Sequence, residues 1–99
     1  LVGMDGIMNF EYCLIVFNST HAAMAAEKAL KGSFEITIMP TLREISQSCG
    51  ISVRFLPGDY DAVKAFLPGS PVPEGSYTIY GVARVDGKVV PQQLYPELA

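Results

Sequence analysis

Tyr12-Cys13-Leu14-Ile15-Val16-Phe17, YCLIVF at residues 12–17, is the longest unbroken apolar run in the chain. A strand that faces water on one side alternates apolar with polar residues, whereas a strand covered on both sides does not. The run is far short of the ~20 apolar residues of a membrane-spanning helix. It therefore predicts a strand in the middle of a sheet, and the neighbouring elements must be found on either side of it.

Downstream, Asn18, Ser19 and Thr20 supply helix N-caps. Ala22, Ala26, Ala29 and Leu30 then recur at helical spacing, with Glu27, Lys28 and Lys31 turned outward and Gly32 as a stop. The alanine stripe lets this helix sit close to a sheet. Phe34, Ile36 and Ile38 alternate with Glu35, Thr37 and Met39, a half-buried strand ended by Pro40. Thr41 and Glu44 have capping-box spacing, which predicts a short helix over 42–48 with a left-handed stop at Gly50.

Ile51, Val53 and Phe55 alternate again, giving a third strand. After the turn Pro57-Gly58-Asp59, Asp59 can cap a helix with Tyr60, Val63, Phe66 and Leu67 on one side. Residues 68–76 form a Pro/Gly/Ser loop with little structure of its own. Tyr77–Val85 reads as a fourth strand, Asp86-Gly87 as a hairpin turn, and Lys88–Val90 as a short return strand that Pro91 ends.

The order is α+β, and β-α-β-β-α-β is the ferredoxin-like split βαβ sandwich, here with a short C-terminal hairpin strand. That topology predicts an antiparallel sheet in the order 4-1-3-2. Ninety-nine residues make one domain, taken as 11–99, with 1–10 as a loose leader or expression remnant. Apolar residues are 49% and charged residues 17%, which points to a folded chain. The net charge of −3 and the scattered basic residues argue against a nucleic-acid partner. No membrane segment or secretory signal is visible, and two cysteines are too few for a disulfide scaffold, so a cytoplasmic setting is expected.

The topology gives the two cysteines different settings. Cys13 lies inside the buried run and reads as a small hydrophobe. It is too far from the opposite end of its strand for an internal bridge to Cys49. Cys49 stands with Gly50 on a corner, at the sheet end where the first helix begins. Ser46, Ser48 and Ser52 around it predict a wet surrounding, the setting of reactive thiols. The first helix's N-terminus favours a thiolate there, while the end of the 42–48 helix opposes it. His21, Arg43 and Arg54 are the candidate cations nearby, and each is also readable as plain surface charge. A structural, partly buried Cys49 stays open as the alternative. With one histidine and two separated cysteines, no metal cluster or cofactor site is expected.

The stretch "EYCLIVFNSTHAAMAAEKALKGSFEITIMPTLREISQSCGISVRF" resembles the selenium/sulfur carrier-like family of small domains. Ser19-Thr20-His21-Ala22, Ala26-Glu27, Leu30, Pro40, Arg43, Ile45, Ser46 and Cys49-Gly50 carry the resemblance. Leu42 departs from it, at a position the family often gives to a second proline. It covers roughly residues 11–56 and leaves the chain from about Asp59 outside. The resemblance implies a carrier more than a turnover enzyme. Cys49 would take sulfur or selenium as a persulfide or selenopersulfide from a donor protein and pass it to an acceptor. His21 and Arg43 would stabilise the anion, and Gly50 would leave room for a partner. The competing reading is a non-catalytic binding or regulatory module. A homodimer through a sheet edge is allowed, with Lys88 and Pro91 protecting one edge.

Overall fold

The computed structural model describes residues 10–42, 50–72 and 75–95. In chain order these form β1 (Tyr12–Phe17), α1 (Thr20–Leu30), β2 (Ile36–Pro40), β3 (Ile51–Phe55), α2 (Tyr60–Phe66), β4 (Tyr77–Val85) and β5 (Lys88–Tyr95). Single 3-10 turns, Pro57–Asp59 and Leu67–Gly69, bracket α2. The fold is α+β: one five-stranded sheet in the order β2-β3-β1-β4-β5, every described pairing antiparallel, with two helices. The first four strands thus follow the expected order, read from the opposite edge.

β1 is the central strand. It pairs with β3 on one side and β4 on the other, and Cys13, Leu14 and Ile15 are all sealed from solvent. Cys13, Ile15 and Phe17 point to the helix layer and join a core with Ala22, Ala23, Ala26, Leu30, Val53, Phe55, Val63 and Ile79. Small side chains at Ala22, Ala23 and Ala26 bring α1 down onto the sheet. Leu14 and Val82 are buried on the second face as well, which is why the run shows no alternation.

α1 starts where the cap residues predict. The Ser19 hydroxyl accepts from the Ala22 N–H at 3.1 Å. At its other end Phe34 N–H donates to the Leu30 carbonyl at 2.8 Å, so Phe34 closes the turn and the strand begins at Ile36. Its ring packs edge-on against Phe66, centroids 5.8 Å apart, and ties the α1 exit to α2. Asp59 makes no side-chain cap for α2, because it belongs to the 3-10 turn that precedes the helix. The segment after α2 is less irregular than its composition predicts. Ser70 donates to the Leu67 carbonyl at 2.7 Å and accepts from Val72 N–H at 3.2 Å, and Val72 is buried.

β5 corrects the sequence reading most clearly. It runs on through Pro91 to Tyr95 and is no short return strand. Glu11 N–H donates to the Val82 carbonyl, so the backbone groups of Val82 face β1. Pro91 is paired with Val82 in a position that does not bond across the β4–β5 ladder. Its missing N–H therefore points to the free edge, where nothing is lost. The turn before β5 is as expected: Asp86 and Gly87 have φ of 53° and 79°, both left-handed, as a type I′ hairpin requires.

Candidate functional site

The end of the sheet where β1 and β2 finish is also where β3 and β4 start. Val16 lies opposite Ser52 on one side and Thr78 on the other, and Pro40 lies opposite Ile51. Asn18 N–H donates to the Ser76 carbonyl at 3.0 Å and Thr41 N–H to the Gly50 carbonyl at 3.0 Å. Asn18, Thr41, Gly50 and Ser76 thus form one rim, and α1 begins two residues beyond Asn18.

Gly50 continues the ladder opposite Thr41 and does not adopt the left-handed conformation expected of a helix stop. A methyl group on Gly50 would stand 3.2 Å from the Thr41 hydroxyl. That hydroxyl shares a hydrogen bond of 2.7 Å with Ser52. Ser52 is fully buried, so it contributes no wet surrounding. Thr41, read from sequence as a helix cap, instead satisfies a serine that pairing with β1 and β2 forces into the sheet.

The other expected site residues fall as follows. His21 is exposed in the first turn of α1 and lines a groove of about 420 Å³ with Met24, Ala25, Glu27, Lys28 and Lys31. Arg54 is not part of the rim. It lies opposite Leu14, towards the far end of β3, and its guanidinium stacks 4.5 Å over the Tyr12 ring. Cys49 and Arg43, with Ser46, Ser48 and all of the predicted 42–48 helix beyond Leu42, lie outside the described residues.

Cys13 is a free, fully buried thiol, and burial pushes its pKa up from 9.0 to about 12. It sits opposite Phe55. From Phe55 to Gly50 the strand rises about 16 Å. The Gly50 end of the strand therefore lies well beyond the ~7 Å Cα separation that a bridge to Cys13 spans.

The family described as "Putative Se/S carrier protein-like" matches residues 12–77, two thirds of the chain. The chain belongs to that family. No curated protein and no solved structure matches. The Se/S carrier-like match runs past the stretch from which the resemblance was read and takes in α2 and the first residue of β4. The second helix therefore belongs to the family's unit, as its packing on Phe34 requires. No helix among the described residues is long and apolar enough to cross a membrane.

Proposed function

We propose that this protein is a cytoplasmic sulfur or selenium carrier that holds the atom on Cys49. Family membership supports the carrier role. The state of Cys13 carries the choice of residue: the chain has two cysteines, and Cys13 is sealed in the core with its thiol held protonated. Cys49 is the one left to react. In our reading the fold is the ferredoxin-like βαββαβ sandwich with β5 added at an edge. The β4-β1-β3-β2 order of its first four strands supports this.

Loading is a sulfur exchange with no net redox change. The Cys49 thiolate attacks the terminal sulfur of a donor protein's persulfide, and a new S–S bond forms as the donor's S–S bond breaks. The donor leaves as a thiolate, and Cys49 keeps the transferred sulfur with its proton. Handing the atom to an acceptor thiolate repeats the exchange in reverse, and selenium follows the same course. His21 and Arg43 would favour the anionic sulfur by charge, His21 from the helix that starts at the Gly50 end of the sheet. Gly50, beside Cys49 in the chain, leaves the approach open.

Intact mass after incubation with a cysteine desulfurase and cysteine tests the reading. A reductant-sensitive gain of sulfur is expected in the wild type and in Cys13→Ser, and none in Cys49→Ser. Loading that survives Cys49→Ser would sink the assignment. No loading, with slow alkylation of Cys49, would favour a binding module.

A further inference from the structure

The two sheet edges are not equivalent. On β5 the missing N–H of Pro91 faces outward near the middle of the strand, and Lys88 stands at its start, so both interrupt an incoming strand. On β2 the parity is set by Thr41, whose N–H donates towards β3. Alternation then turns the backbone groups of Ile36, Ile38 and Pro40 to the free edge. Pro40, the residue without a donor, is at the very end. Ile36 and Ile38 present N–H and C=O groups that no described residue pairs. The Ile38 side chain is 41% exposed, large and apolar.

We infer that β2 is the surface on which a second copy of this chain docks, by antiparallel pairing about a two-fold axis at Ile38. In that register Ile38 faces Ile38 of the other copy, and each donates its N–H to the other's carbonyl. Ile36 faces Pro40 of the other copy and donates to its carbonyl, so the proline is asked only to accept. Thr37 faces Met39. No charged residue of the strand meets a like charge, and two β-branched side chains cover each other. The pairing joins two five-stranded sheets into one, with both helix layers on the same side.

The two Gly50 ends then point in opposite directions, so each copy's rim stays open to its own partners. Five residues a side make a contact well below the standard size of a stable interface, so a dissociation constant on the order of 100 μM is expected.

Sedimentation velocity across that concentration range, with amide hydrogen exchange on the same samples, tests the inference without involving either thiol. The expected result is a reversible dimer whose formation slows exchange at Ile36 and Ile38. Ile38→Lys, at an exposed position, should keep the fold by circular dichroism and weaken the dimer at least tenfold. A monomer up to millimolar concentration overturns the inference. So does a dimer indifferent to Ile38→Lys, or protection that grows on β5 instead.

Discussion

Replacing Cys49 with serine leaves Cys13 as the chain's only thiol, and its reactivity then reports on the central strand alone. Burial moves its pKa from 9.0 to about 12, a shift that lowers the thiolate fraction at pH 7.5 about a thousandfold. Full burial also bars a reagent from the sulfur, so alkylation must wait for opening of the core. Mass-resolved iodoacetamide labelling at pH 7.5, native against denatured, should show protection of at least a thousandfold. Labelling of native protein within tenfold of the denatured rate would refute the placement of Cys13 and the elimination that points to Cys49. The same shift makes a statement about stability. The unfolded thiol ionises near 9.0 and the folded one only near 12, so the contribution is intact below pH 9 and lost as pH rises towards 12. Cys13→Ala in the Cys49→Ser background should flatten that alkaline loss relative to Cys49→Ser alone, since tyrosine titration is common to both.

Thr41→Val removes the partner of the buried Ser52 hydroxyl and should cost about 1–3 kcal/mol; in urea melts, the double variant Thr41→Val/Ser52→Ala should recover part of it, and additive losses would disprove the coupling. Gly81→Ala would place a methyl 2.5 Å from the Phe10 ring and should destabilise by about 1–3 kcal/mol. Adding Phe10→Ala should relieve that clash, and an unchanged Gly81→Ala penalty in the Phe10→Ala background would show that Phe10 does not lie over Gly81.

Local sequence determined much of this protein. The unalternating run at 12–17 marks a strand covered on both faces, because only such a strand can afford no polar side. Ser19 and the alanine stripe mark where α1 starts and how closely it packs, since capping and helical spacing act within a few residues. Asp86-Gly87 specifies its hairpin because left-handed backbone selects those residues. Cys13 is legible as a core thiol from the run that contains it.

Tertiary pairing decided the rest. Pro91 stops a strand only if its missing N–H faces a neighbour, and the register with β4 turns it to the free edge. Ser52 reads as a solvent-facing residue until strands on both sides enclose it and Thr41 supplies its hydrogen bond. Arg54, four residues from Gly50 along the chain, is drawn away to Tyr12 because β1 brings that ring within 4.5 Å of its guanidinium. How the two edges differ follows from the parity of two bonds, Thr41 N–H to Gly50 for β2 and Glu11 N–H to Val82, through Val82's pairing with Pro91, for β5. Each of these depends on a partner distant in sequence, and no local pattern encodes which of a strand's two sides that partner will occupy.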